Sequence, residues 1–156
     1  MLRVIQISSD IADIVHNIQK KSFEPLLDRY HDYDVNPAME SVEVIKAKID
    51  RANTTAYIFQ LNDINVGWVR VMEFGEMTYK ISALSVLPEY QNRGIAKEAL
   101  KQIESYYPNA SKWILDTIFQ EKGNCHLYEK LGYVKVGELR FINERMTLVN
   151  YVKICN

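Results

Sequence analysis

The stretch Leu84-Ser85-Val86-Leu87-Pro88-Glu89-Tyr90-Gln91-Asn92-Arg93-Gly94-Ile95-Ala96 constrains the fold more than any other part of the chain. An apolar strand stops at a proline and, within one short turn, becomes an amphipathic helix. Gly94 and Ala96 carry no bulk, so a ligand can come close to the backbone there. From about Gly94 the helix aligns Ile95, Ala96, Ala99, Leu100, Ile103 and Tyr107 on one stripe, and Pro108 closes it. Its first N–H groups have no internal acceptor. Together with the positive end of the helix dipole they make a cradle for an anion, with Arg93 and Lys97 at the rim. Gln-x-x-Gly-x-Ala alone is weak, since many such helix starts bind nothing; what surrounds it gives it weight.

Before this point, Leu2, Val4, Ile5 and Ile7 predict a strand, and Ser8, Ser9 and Asp10 offer caps to a helix with Ile11, Ile14, Val15 and Ile18 on one face. From Phe23 to Glu40 the periodicity is lost and Pro25 and Pro37 intervene, so a long loop is expected. Ser41 caps a second helix bearing Val42, Ile45, Ile49 and Ala52. Ala56 to Leu61 and Val66 to Phe74 form a hairpin, and Thr78 to Leu87 a third strand of that sheet. Trp113 to Phe119 is a further strand, and Asn124 to about Leu131 a short helix ended by Gly132. Two last strands, Tyr133 to Phe141 and Arg145 to Ile154, face each other across Asn143 and Glu144. The order is β-α-α-β-β-β-α-β-α-β-β, in what reads as one domain over residues 1–156.

Composition removes several classes of function. A formal net charge of -1 without a long basic block gives no footprint for nucleic acid. The two cysteines, Cys125 and Cys155, lack metal-type or disulfide-framework spacing, so no metal site is expected. Met1 to Asp10 lacks the features of a signal peptide, and no run approaches the roughly 20 apolar residues of a membrane span. No membrane partner and a cytoplasmic location are therefore the expectation. No Gly-x-x-x-x-Gly-Lys-Ser/Thr run is present, which argues against a P-loop nucleotide site.

A second signature lies downstream: Asn124-Cys125-His126-Leu127-Tyr128-Glu129-Lys130-Leu131-Gly132-Tyr133. With Val86-x-Pro88-Glu89-Tyr90 and the Gln91 to Ala96 turn, it resembles the GNAT superfamily of N-acetyltransferases. The resemblance is specific over residues 81–133, and residues 1–75 match in pattern only. It implies an α/β (α+β) fold with a mixed, mostly antiparallel central sheet, a splayed strand pair and helices on both faces. It also implies acetyl-CoA as cosubstrate and transfer of the acetyl group to a primary amine by direct attack, with no metal and no covalent enzyme intermediate.

Residue by residue, the resemblance makes Gln91, Asn92, Arg93, Gly94, Ile95 and Ala96 the pyrophosphate loop. Leu84, Ser85 and Val86 become the exposed strand edge that pairs with the pantetheine amides. Asn124 would hydrogen-bond the pantetheine region, and the Tyr128 hydroxyl would protonate or stabilise the departing thiolate. The N–H of Val86 would serve the oxyanion. Cys125 and His126 have no nucleophile-and-base arrangement and receive no catalytic role.

No acid occurs in Thr78 to Leu87, so Glu73, Glu76 and Asp116 are the candidates for a general base, although each reads more readily as a solvated surface charge. The crowd of Asp28, Tyr30, His31, Asp32, Tyr33 and Asp34 reads either as a solvated loop or as a site for a small cationic amine acceptor. Two alternatives stay open: a protein or peptide N-acetyltransferase, and a non-catalytic CoA-binding sensor. Met146, Leu148, Val149 and Tyr151 read as exposed apolar residues that either pair across a homodimer or complete the sheet.

Overall fold

Along Thr54–Leu61 successive side chains part company. Ala56 and Ile58 join one hydrophobic cluster and Tyr57 and Phe59 another. Side chains on a strand alternate between faces, so a strand buried on both needs cover on both. The computed structural model describes Met1–Asn156 and provides that cover with four helices: α1 (Ala12–Tyr30), α2 (Val42–Ile49), α3 (Ile95–Ser105) and α4 (Lys122–Lys130). The strands are β1 (Leu2–Ile7), β2 (Thr54–Leu61), β3 (Ile64–Glu73), β4 (Thr78–Val86), β5 (Lys112–Ile118), β6 (Val134–Asn143) and β7 (Met146–Ile154). They form one sheet in the order β1-β2-β3-β4-β5-β7-β6, and only β4 and β5 run parallel. Val15, Ile18, Ile45 and Ile49 of α1 and α2 pack on Ile58 and Trp68. Leu100 and Ile103 of α3, with Tyr128 of α4, pack on Phe59, Val69 and Leu115 from the other side. The mixed, mostly antiparallel sheet with helices on both faces is thus the architecture. No helix is long and apolar enough to cross a membrane.

Two expectations are corrected. Phe23 to Tyr30, read as the start of a loop, continues α1 straight through Pro25. An internal proline removes one ladder bond and costs about 3 kcal/mol, yet the turn survives because Leu26 and Tyr30 pack on Ile118 and Met146. The helix stops at His31, whose backbone is left-handed at φ 54° and whose N–H reaches the Leu27 carbonyl at 2.9 Å. The second correction concerns β7. Met146, Val149 and Tyr151 are only 4%, 3% and 1% exposed, because β7 lies between β5 and β6 and turns these residues inward. The exposed apolar residues belong instead to the outermost strand, β6: Val134, Val136, Leu139 and Phe141.

β4 and β5 pair only at Thr78↔Lys112, Tyr79↔Trp113 and Lys80↔Ile114. Beyond that, Trp68 of β3 lies opposite Ser85 but Arg70 lies opposite Ser82, so Ala83 and Leu84 together oppose Val69. This is a bulge, with Ala83 held at φ 58°, and a bulge bends its strand and sharpens the twist. β4 therefore swings away from β5 and a V opens between them. Gly67 makes the bend possible on the other side. A Cβ there would sit 2.3 Å from the Ser85 carbonyl oxygen and 2.7 Å from the Phe59 ring. Gly67→Ala is expected to cost about 1–3 kcal/mol, measurable as a lower midpoint in urea unfolding; an unchanged midpoint would show that the close approach is not required.

Candidate active site

The end of β4 runs into a turn that never becomes regular. Pro88–Tyr90 forms a single 3₁₀ turn, and Asn92 and Gly94 follow with left-handed backbones at φ 62° and 78°. No backbone N–H from Asn92 to Lys97 finds an acceptor in the protein; the first helical bond runs from the Glu98 N–H to the Gly94 carbonyl at 3.0 Å. These amides crowd at the positive end of α3, the geometry that binds phosphate groups. Gln91 anchors the turn by donating its side-chain amide to the Val86 carbonyl at 2.8 Å. Nothing lies within 4 Å of a Cβ built on Gly94, so glycine is needed there for its backbone angle, and the space outside stays open to a ligand.

The turn is one end of a cavity of about 420 Å³. Leu84, Ser85 and Val86, the turn residues Gln91, Asn92, Gly94, Ile95 and Ala96, and Asn124 and Tyr128 of α4 all line it, so the residues singled out in the sequence converge on one cleft. Arg93 is the exception: its guanidinium lies over the Tyr90 ring at 5.3 Å, while Lys97 does border the cavity. From Ile81 onward β4 has no partner on its β5 side. The Leu87 N–H donates to Val66 of β3 at 2.8 Å, so alternation turns the N–H of Val86 toward the open edge.

Tyr128 is 6% exposed and packs its ring against Tyr133 and Tyr151. Those two give their hydroxyls to Glu104 and Glu129 at 3.3 and 2.6 Å, whereas the Tyr128 hydroxyl bonds no protein group. Burial first, and then the charge of Asp116, push the Tyr128 pKa well above the ordinary tyrosine value. The group is a protonated phenol, able to donate and unwilling to ionise.

The acids fall into place differently from expectation. Glu73 pairs with Tyr79 and Glu76 sits in the following turn, both at the closed end of the V. Asp116 lies just past the last β4–β5 pair but is engaged by Arg140 at 3.2 Å and Lys80 at 3.8 Å. Asp28 and Asp34 are exposed and outside the cavity lining, and Asp32 is buried, accepting from the Asn36 amide at 3.1 and 3.3 Å. His31 and Tyr33 stack on each other at 5.8 Å, likewise outside. The acidic run is thus no wall of the cleft, because α1 extends to Tyr30 and takes that place. The cleft's one carboxylate is Glu121, bound by Arg29 at 2.6 Å and by the Tyr30 hydroxyl. No cluster of three or more His, Cys, Asp or Glu side chains is arranged to hold a metal.

The sequence model of the Acetyltransferase (GNAT) family matches residues 13–133. The chain belongs to the GNAT acetyltransferase family. Solved structures share its fold at low identity. Spermidine N-acetyltransferase from Vibrio cholerae, in complex with CoA and spermine, superposes with a TM-score of 0.77 at 18% identity, over 98% of this chain and 95% of that one. A ribosomal-protein alanine N-acetyltransferase from Escherichia coli gives 0.79 at 12%, over 99% and 94%. The PaiA N-acetyltransferase of Thermoplasma acidophilum, in complex with coenzyme A, gives 0.77 at 14%, over 99% of each chain. No curated protein sequence matches.

In this GNAT chain the wall that sequence reasoning missed is α1, which brings Ser22, Phe23, Leu26 and Arg29 to the cleft. The helical spacing of Phe23, Leu26, Leu27 and Tyr30 was the available signal, hidden behind Pro25. Gly94→Val forces a branched side chain into a left-handed backbone and crowds the free amides. A roughly tenfold weaker affinity for a diphosphate-bearing ligand is expected by calorimetry, from strain of about 1–2 kcal/mol, with the circular dichroism spectrum retained; unchanged affinity would remove the turn from the site.

Proposed function

We propose that this GNAT chain binds acetyl-CoA and transfers its acetyl group to a small primary amine by direct attack in a ternary complex. One observation carries the reading: unbonded amides, those of Asn92 and of Gly94 to Lys97, and an unbonded tyrosine hydroxyl, that of Tyr128, lie along the same cleft. The amides suit a diphosphate, the open edge of Leu84 to Val86 suits the amides of a pantetheine arm, and Asn124 offers a further hydrogen bond beside it. The likeness to a spermidine N-acetyltransferase solved with CoA and spermine supports the same cosubstrate and a small acceptor.

The chemistry follows from the residues. As the amine nitrogen bonds to the thioester carbon, charge gathers on the carbonyl oxygen, where the Val86 N–H serves as donor. As the carbon–sulfur bond breaks, the Tyr128 hydroxyl passes its proton to the sulfur while taking one from the ammonium nitrogen through water, so that no free phenolate forms. No uncommitted carboxylate lines the cleft, since Glu121 is held by Arg29 and Tyr30. The acceptor therefore enters as free amine, deprotonated in bulk water.

Tyr128→Phe is expected to lower kcat by about 10–100-fold in a thiol-release assay while the Kd for acetyl-CoA stays within about twofold. Retained turnover would strip Tyr128 of its role. Absence of turnover in the unaltered protein, with CoA still bound, would leave a sensor module instead. The pH profile carries a second test. A raised tyrosine pKa keeps the acid form above the usual value of about 10, so kcat/KM should climb as the amine deprotonates and show no descending limb below that pH. A fall beginning between pH 8 and about 9 would contradict the assignment.

A homodimer through β6 completes the reading. This strand ends the sheet, exposes Val134, Val136, Leu139 and Phe141, and leaves one backbone edge unpaired, a combination that a second copy can cover. Light scattering should give a dimer mass for the unaltered protein and a monomer mass for Leu139→Lys with Phe141→Glu; a monomer at the outset would defeat it.

A further inference from the structure

Arg70 of β3 is 6% exposed, yet no carboxylate lies within ion-pair distance of it. Its guanidinium has five donors and finds the Ser82 hydroxyl at 3.1 Å and the Met72 thioether at 3.7 Å. A buried arginine ordinarily carries a paired anion, because an uncompensated charge inside a protein is costly. Glu40, whose charge Arg70 feels, is already engaged by Lys48 and the Gln19 amide.

Alternation puts Arg70 on the α1 and α2 face of the sheet with Trp68, and the two are the β3 residues that flank the β4 bulge, opposite Ser82 and Ser85. The Trp68 indole N–H is itself a buried donor with no acceptor. Further along that face, Lys80 lies beside Ser82 on β4 and, with Arg140, approaches Asp116 where β5 leaves β4. Arg70, Lys80 and Arg140 thus share this side of the sheet with one carboxylate, Asp116, which the last two already engage, while Arg29 and Glu121 at the cleft compensate each other. An acceptor with positive charges alone would meet net repulsion there, whereas one carrying an anion would supply what Arg70 lacks.

We propose that Arg70, supported by Lys80 and Arg140, binds a carboxylate carried by the amine acceptor, which makes the preferred substrate a small amino carboxylic acid. The planar guanidinium matches a carboxylate through two parallel hydrogen bonds. This rests on the acetyltransferase reading above and specifies the substrate of the same site.

Matched amines with and without the carboxylate test it: lysine against cadaverine, ornithine against putrescine, tyrosine against tyramine. Binding to the CoA-saturated protein is read by calorimetry and turnover by thiol release. In at least one pair the carboxylate-bearing member should bind roughly tenfold tighter and show a correspondingly lower KM. Arg70→Met should erase that preference and leave the KM for acetyl-CoA unchanged. Arg140→Gln, at a half-exposed side chain, should weaken it by roughly threefold without touching the core. Equal or weaker binding of the carboxylate member in every pair overturns the inference, as does an intact preference in folded Arg70→Met or, if that variant does not fold, in Arg140→Gln. Carboxylate-selective binding without thiol release from any amine would instead defeat the transferase reading, and with it the substrate role, while upholding Arg70 as a carboxylate-binding group.

Discussion

The cleft exists because one residue too many is fitted into β4. With Ala83 and Leu84 both opposite Val69, the strand cannot stay in step with β3 and also remain parallel to β5. An alanine at φ 58° costs about 1–2 kcal/mol, and the surrounding contacts must hold it there. Gly67 does so by letting the Ser85 carbonyl come closer than any side chain would permit. The same distortion frees the edge of Leu84 to Val86 and delivers the chain to the turn at Gln91. Cavity, strand edge and amide cradle are three results of a single departure from regular pairing.

Charge is distributed along that cleft with a consistent sense. Donors without acceptors lie at the α3 end, a phenol that resists ionisation lies on α4, and the one carboxylate in the lining is neutralised by a guanidinium and a hydroxyl. Such a surface favours groups that are negative or become so during reaction. It presents no uncommitted carboxylate to a bound group. The aromatic packing of Tyr128 on Tyr133 and Tyr151 keeps the phenol in place, since both neighbours are tethered through their own hydroxyls to Glu104 and Glu129.

Local signals proved most readable where the sequence alternates or caps. The hairpin of β2 and β3, the Pro88 stop, the Gly94 turn and the stripe on α3 were all visible as patterns, and the residues they single out line one cleft except for Arg93, which stacks on Tyr90. What stayed hidden depends on partners distant in sequence. Pro25 looked like a breaker because Ile118 and Met146, which hold the last turns of α1, lie about ninety positions or more away. The burial of Met146, Val149 and Tyr151 could not be foreseen without knowing that β7 is inserted between β5 and β6. Ala83 gave no hint of a left-handed backbone, which is read from glycine or asparagine far more readily. Of the two readings open for Asp28, Asp32 and Asp34, the one that put them at the cleft fails for the same reason: the longer helix occupies that wall.

Arg29 and Tyr30 fasten the last turn of α1 to Glu121, in the segment that leads into α4. That attachment crosses the mouth of the V like a latch, and it joins the helix on the far side of its own proline, where the backbone ladder is already one bond short. An ion pair with its guanidinium half exposed adds little by itself, so the packing of Leu26 and Tyr30 on Ile118 and Met146 is what seats these turns where the ladder is weak, and the wall of the cleft depends little on salt.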